Sequence, residues 1–351
     1  MAAKYQDIVN KLELEIRQIR KDGSDRLPSE QELAGRYSCS RQTVRAALDV
    51  LEQRGVIVKK KGAGSFIASG TSLSSDEVWL ITSDCDGYIM PEIIKGLRNK
   101  LEKKKLILRF FSTDGSYKKE RKFLMSALEH KPSSVIICPI KSALPSPNIR
   151  LISAAEESGI PIIYLFSSYT SNNITISIDD SRSAELLVRH LADQGHTHIS
   201  GMFLMDDRAG LSRYGGVISS LAGLNLPFDE DSFMMFTTGD LNEMLSGSTA
   251  VLEKFIKTNL PGNSAVICHN DLVAHEFIRT ASKRGINVPG DISVVSFDNS
   301  YYASGDHPIT SAGPSSGAMI NALAGAVISA AERRAVNVRP VVPELFVRTS
   351  G

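Results

Sequence analysis

Arg26-Leu-Pro-Ser-Glu-Gln-Glu-Leu-Ala-Gly-Arg-Tyr-Ser-Cys-Ser-Arg-Gln-Thr-Val-Arg-Ala-Ala-Leu48 reads as two short helices joined by a tight polar turn, with arginines on one face of the second. Ser29 stands as N-cap and Glu32 three residues on, the reciprocal pairing of a capping box, which predicts a helix from Glu30 to about Arg36. Ser40 caps the next, expected from Arg41 to about Gln53. There Val44, Ala47, Leu48 and Leu51 recur at helical spacing and turn inward, leaving Arg41, Gln42, Thr43 and Arg45 outside. Such an outward set can enter a major groove. A guanidinium forks onto guanine O6 and N7, and a carboxamide does the same for adenine N6 and N7.

On the N-terminal side, Tyr5, Ile8, Val9, Leu12, Ile16 and Ile19 predict a scaffold helix from about Tyr5 to Arg20. On the C-terminal side, Gly55-Val-Ile-Val-Lys-Lys-Lys-Gly-Ala-Gly-Ser-Phe-Ile67 alternates like a hairpin with a glycine-rich turn. Its Lys59, Lys60 and Lys61 are placed to touch phosphates or a minor groove. Helix, helix, reader helix and basic wing in this order leave little room for a merely solvated charged surface. Residues 4–67 resemble the winged-helix domain of GntR-type bacterial regulators, including its Leu27-Pro28-Ser29-Glu30 and Ser40-Arg41-x-Thr43-x-Arg45 signatures. The resemblance implies DNA-facing positions at Lys4, Glu30, Arg41, Gln42, Arg45, Lys61 and Gly62, to which the outward-facing Thr43 and the capping Ser40 are added.

Charge follows the same division. Residues 1–70 hold 13 Lys/Arg against 9 Asp/Glu, a net +4, and the remainder of the 351-residue chain carries −3. The basic excess sits with the DNA motif. Four cysteines, Cys39, Cys85, Cys138 and Cys268, lie far apart with neither zinc-site spacing nor the density of a disulfide scaffold, which reads as reduced thiols and no metal. Lys4, Asp7, Lys11 and Glu13 occupy the place of a signal-peptide core, and no apolar run approaches a membrane span, so a cytoplasmic protein is expected.

Residues 70–77 read as a Gly/Ser/Thr-rich linker between a domain at 1–69 and another at 78–351. Beyond it, apolar runs at Val78–Ile81, Leu106–Phe111, Val135–Cys138, Ile160–Leu165, Ile199–Leu204, Ala265–Cys268 and Val294–Phe297 alternate with amphipathic helices. Further helices are expected at 315–334, and a last strand at Glu344–Val347. The fold class is α/β, with parallel sheets covered on both faces. So many units exceed one sheet; two lobes with crossovers between them are the economical arrangement. Open parallel sheets bind ligands at the carboxyl ends of their strands, and polar residues gather there: Asp84, Asp86 and Tyr88, Lys141, Ser167-Ser168-Tyr169, Asp206-Asp207, His269-Asn270-Asp271 and Asp298-Asn299-Ser300.

Asp, Asn, Arg and Lys grip sugars because each hydroxyl both donates and accepts and a planar charged group takes two neighbouring hydroxyls together. Phe166 or Tyr169 could cover an apolar sugar face. Each polar residue has a plainer reading as a helix cap, most directly Asp180, Asp271 and Asn299. His196 and His198 lack a third ligand and read as structural, and Met202, Met205, Met234 and Met235 as core filling.

Residues 78–349 resemble the effector domain of LacI/GalR-type repressors, related to periplasmic sugar-binding proteins, through Gly195-His-Thr-His-Ile199, Arg213-Tyr-Gly-Gly216, Asn270-Asp-Leu-Val-Ala274 and Pro289-x-Asp-Ile-Ser-Val-Val295 followed by Asp298. The resemblance implies a two-lobed periplasmic-binding-protein-like domain in which Arg213, Asn270 and Asp298 hold sugar hydroxyls. A GntR-type head on such a body is similar to the arabinose-responsive repressors of Gram-positive bacteria, with further likeness at Lys141-Ser-Ala-Leu144, Pro147-Asn148-Ile149 and Ser177-Ile-Asp179-Asp180, and in the Asp206-Asp207 loop. The effector set expected is Asp84, Tyr88, Lys141, Phe166, Asp179, Asp206, Arg213, His269, Asn270 and Asp298. L-Arabinose is the sugar implied, with no further cofactor; another pentose, a hexose or a sugar phosphate is the alternative, since Val217 and Ser296-Phe297-Asp298-Asn299 depart from the usual pattern.

The partners expected are palindromic operator DNA and a second copy of the chain, with helices at 91–103 and 315–334 as candidate interface elements. An exported binding protein would need a signal peptide and would not carry a DNA reader. No phosphate loop, GxSxG elbow, HExxH or dinucleotide fingerprint points to an enzyme.

Overall fold

Ile8, Val9, Leu12 and Ile16 lie on helical backbone and are buried, forming one core with Leu33, Val44, Ala47, Leu48, Leu51, Ile57 and Ile67. The computed structural model describes residues 8, 9, 11, 12, 15, 16, 19, 26–53, 56–60, 64–67, 75–170 and 173–351; Lys4, Tyr5, Lys61 and Gly62 fall outside these. The chain divides into two compact units, Met1–Ser75 and Asp76–Gly351.

In the first unit the helices run Glu30–Arg36 and Arg41–Gln53. The Ser29/Glu32 capping box is formed in both directions. Ser40 caps the reader helix by accepting from the Thr43 N–H at 3.1 Å. Strands β1 (Ile57–Lys60) and β2 (Gly64–Ile67) pair antiparallel from Ile57↔Ile67 to Lys60↔Gly64, which is the wing. The tip residues 61–63 lie outside the described residues.

The second unit has two sheets. The first lobe holds β3 (Ser75–Thr82), β4 (Ile107–Ser112), β5 (Pro132–Ile137), β6 (Ile162–Leu165) and β7 (Ile174–Ile176) in the order β4-β3-β5-β6-β7. The second holds β8 (Ile199–Leu204), β9 (Phe233–Phe236), β10 (Ala265–Cys268), β11 (Ser293–Phe297), β12 (Thr310–Gly313) and β13 (Glu344–Phe346) in the order β13-β12-β11-β10-β8-β9. Its pairs are parallel except β12 with β13. Residues buried on both faces, such as β10 and β11, give the continuous apolar runs of the sequence. After β12 the chain returns to the first lobe: Met319, Ile320, Leu323 and Val327 of helix Ala318–Ala331 share a core with Val78, Leu80, Ile94 and Leu97. The Asp179 N–H donates to Val341 O at 3.1 Å and the Val341 N–H to Ser177 O at 2.8 Å, tying two crossovers side by side.

The structure departs from the sequence reading in several places. Ser75, Asp76 and Glu77 belong to β3 rather than to a linker. Strands β7, β9 and β12 and the helix Thr238–Leu245 were not foreseen. β12 is Thr-Ser-Ala-Gly, fully buried, and small residues held by hydrogen bonds leave no apolar signal. Met202 and Met234 are core, but Met205 and Met235 are exposed. His196 is structural, in agreement with the sequence: its ring nitrogens lie 2.8 Å from Ser264 Oγ, one residue before β10, and 3.1 Å from Ser293 Oγ, the first residue of β11. Among the described residues no helix is long and apolar enough to cross a membrane.

Candidate functional site

Two surfaces carry the chemistry. On the head, Arg41, Gln42 and Arg45 are exposed along the reader helix while Val44, Ala47 and Leu48 anchor it from behind. Arg45 is forked onto Glu30, with Nε donating to Oε1 at 3.1 Å and Nη2 to Oε2 at 2.8 Å. The bonds from Arg45 hold the Glu30 carboxyl below its ordinary range. Glu30 therefore orients an arginine. Thr43 is half-buried, and its hydroxyl lies 2.7 Å from that of exposed Ser40. Lys59 pairs with Asp49 and Glu52 of the reader helix, and Lys60 lies 4.7 Å above the Phe66 ring. The wing is thus fastened to the helix it flanks, and Lys59 is drawn away from the tip.

In the second unit, strand ends of both lobes face a cavity of about 430 Å³, within the ordinary range for small-molecule sites. It brings together Asp84, Tyr88, Lys141, Phe166, Arg213, His269, Asn270 and Asp298 of the expected set. Arg213, buried within helix Arg208–Gly223, is the hub. Its Nε donates to Asp180 Oδ1 at 2.8 Å, its Nη2 to Asp298 Oδ1 at 2.5 Å and its Nη1 to His269 O at 2.7 Å. The guanidinium also lies 4.8 Å above the Phe297 ring.

Burial opposes the charge on Arg213, but Asp298 and Asp180 outweigh it and raise its affinity for the proton. Burial pushes Asp180 up to about 6 in spite of Arg213. For His269, burial and then the Arg213 charge hold the imidazole far below its usual range. A neutral ring and a fixed guanidinium are donors and acceptors with settled orientation, which suits hydroxyl recognition. His269 Nδ1 is buried with no hydrogen-bond partner among the described residues.

Asp298 sits in a strained turn. It and Asn299 have φ of +95° and +51°, and the turn is held by Asp271, whose carboxylate accepts from the Ser300 N–H at 2.6 Å, from Ser311 Oγ at 2.7 Å and from Ser296. Burial and then Asp298 push Asp271 up to about 6. Across from it, a Cβ at Gly313 would stand 2.5 Å from the carbonyl carbon of Asp298. Because backbone cannot yield there, Gly313→Ala is expected to destabilise the protein by about 1–3 kcal/mol, read by urea unfolding. A wild-type midpoint would show that the turn has slack.

Two expected residues fall elsewhere. Asp179 is the N-cap of helix Asp180–Asp193, accepting from the Arg182 N–H at 2.9 Å, while Asp180, read as a possible cap, holds Arg213. Asp206 accepts from the Thr238 N–H at 3.0 Å and Thr238 Oγ1 at 2.9 Å and lies 3.8 Å from Lys141 Nζ; it supports the site from behind. Asn270 lines the cavity but is also the cap of helix Asp271–Lys283, its Oδ1 accepting from the Val273 N–H. Tyr169 is buried in the first lobe, leaving Phe166 as the aromatic wall. Asp114, Thr238 and Asn242 line the cavity without having been singled out. The Thr237/Asp240 capping box was the signal that could have revealed the last two.

Residues 4–67 match the model of bacterial regulatory proteins of the gntR family, and residues 188–351 that of the periplasmic binding protein-like domain. The chain is 29% identical over 284 residues to an arabinose metabolism transcriptional repressor of Halalkalibacterium halodurans, covering 79% of this chain and 75% of that one. It is 28% identical over 344 residues to a protein of the same name from Geobacillus stearothermophilus, covering 93% and 91%. Among solved structures, the complex of the transcriptional regulator CelR with cellobiose superposes with a TM-score of 0.69 at 18% identity, over 93% of this chain and all of that one. A periplasmic binding protein/LacI transcriptional regulator from Alkaliphilus metalliredigens, complexed with D-xylulofuranose, gives 0.67 at 19% identity, covering 79% and 99%. These likenesses speak for the fold.

Proposed function

We infer, from a chain that joins a gntR-type DNA-binding domain to a periplasmic-binding-protein-like domain and is a transcription regulator, that its affinity for operator DNA is set by L-arabinose. In this reading the protein is a cytoplasmic repressor of sugar-utilisation genes rather than an enzyme, and the sugar releases it. The observation that carries the effector site is Arg213, buried at the mouth of the second sheet and forked between Asp180 and Asp298. The choice of arabinose is supported by the two relatives whose names contain it.

Charge narrows the alternatives. Among the described residues, Asp84, Asp114, Asp180, Asp207 and Asp298 line the cavity against Lys141 and Arg213, so a phosphate ester would meet a net negative wall. A neutral sugar meets none. The protein acts as a homodimer on a palindromic operator, since one reader helix spans only a few base pairs. Moving a tenfold excess of bound form to a tenfold excess of free form requires about 2.7 kcal/mol of preference by the sugar for the released state.

The test is thermal melting of the purified protein against pentoses, hexoses and their phosphates, because a ligand bound only by the folded state raises the midpoint. A rise with L-arabinose and none with the phosphates is expected. A rise with another sugar alone would remove the arabinose assignment while retaining the regulator.

A further inference from the structure

The lobes of the effector domain are joined at the rim of the cavity, between Ser142, which is not part of its lining, and Asp207, which is. Ser142 of the first lobe is 1% exposed. Its hydroxyl donates to Asp207 Oδ1 at 2.5 Å and accepts from the Arg208 N–H at 2.8 Å. Asp207 is the N-cap of helix Arg208–Gly223, accepting from the Ala209 N–H at 3.2 Å. The first turn of an α-helix has four N–H groups without partners inside the helix. Here one of them is satisfied from the opposite lobe.

Arg208 reaches back the same way. Its Nε donates to Ser142 O at 3.0 Å and its Nη2 to Tyr169 O at 3.4 Å, and the Ala143 N–H donates to Asp206 O at 3.2 Å. The loop presenting Ser142 is held stiffly in its own lobe. Buried Glu120 accepts from Tyr169 Oη at 2.8 Å and Asn148 Nδ2 at 2.7 Å, and Tyr169 Oη accepts from the Ile140 N–H at 2.7 Å. Five residues along the capped helix stands Arg213.

We propose that Ser142 is a positioning residue of the effector site: it caps the Arg213-bearing helix from the opposite lobe, latching the cleft closed and presetting Arg213 for ligand. Separation of the lobes removes the hydroxyl from both Asp207 and the Arg208 N–H. A serine hydroxyl can donate and accept at once, so Ser142→Thr keeps the latch and Ser142→Ala removes it. Because apparent affinity scales with the fraction of binding-competent protein, the latch also sets how much sugar is needed for release. This consequence rests on the cleft being the effector site; the latch itself does not.

The experiment separates the two. Spin labels at Met125→Cys on the first lobe and Lys257→Cys on the second, in a full-length Cys39→Ser background diluted with unlabelled protein, report the interlobe distance without any sugar. The expected result is a single short distance for the latched protein and for Ser142→Thr, and a longer component in Ser142→Ala. Arg208→Ala, which leaves the serine cap in place but removes the guanidinium bridge, should show an intermediate share. With L-arabinose, Ser142→Ala should bind about tenfold more weakly, because a smaller fraction of the protein is binding-competent. An unaltered distance distribution in Ser142→Ala, folded as judged by its melting curve, would overturn the latch. Absence of sugar binding in every variant, with the distances shifting as expected, would overturn the effector reading alone.

Discussion

Replacing Arg213 by Lys is expected to reduce effector affinity at least a hundredfold while leaving operator binding intact. One ammonium cannot reproduce three directed contacts, to Asp180, Asp298 and the His269 carbonyl, because the planar fork is what matches two carboxylates at once. Arg213→Met goes further. It leaves Asp180 and Asp298 buried without their cation, and breaking a buried ion pair from one side costs about 3–5 kcal/mol. Calorimetric titration with L-arabinose and urea unfolding read the two effects separately. Sugar affinity within threefold of wild type in Arg213→Lys would show that the fork orients nothing the ligand uses. Gel shifts of Arg213→Lys should show operator bound as by the wild type but no longer released by sugar.

The second large effect is on DNA. Arg41→Ala should weaken operator binding by about ten- to a hundredfold, and more for the cognate sequence than for unrelated DNA, as expected when a bidentate base contact is lost. Arg41 is exposed at the start of a helix whose rear face is locked into the head's core, so its removal leaves the fold intact. Melting curves should therefore coincide with the wild type. Glu30→Ala should act on the same readout by a different route, since it frees Arg45 from the fork that orients it. Equal losses on cognate and unrelated DNA in Arg41→Ala would assign this arginine to the phosphate backbone instead.

The helices and strands of the head were legible where the structure describes them. Caps, helical spacing and turn glycines act over three or four positions, so Ser29, Glu32, Ser40 and the Val44–Leu51 stripe state their own geometry. Helix Tyr117–His130 and strands β8 and β10 were legible for the same reason. The misreadings cluster where a local rule meets a distant partner. Asp179 and Asp180 are neighbours of identical chemistry, and nothing within a few residues says which caps the helix. Asp180 is chosen because Arg213 lies beside it in space, and Asp179 caps because its side chain meets the Arg182 N–H.

What the sequence determined by itself is the order of parts: a basic reader, a wing, then alternating strands and helices whose polar residues collect at strand ends. Hydrophobic period and capping are short-range, and they survive without knowledge of the fold. Tertiary structure alone decided which of those polar residues meet. β12 with its small buried residues, the Asp271 brace under the Asp298 turn and the serine that caps a helix across two lobes all depend on groups tens to hundreds of residues apart. Their hydrogen bonds form only because the parallel sheets bring the strand ends into one cleft, where burial makes each unpaired polar group costly and so selects the partners.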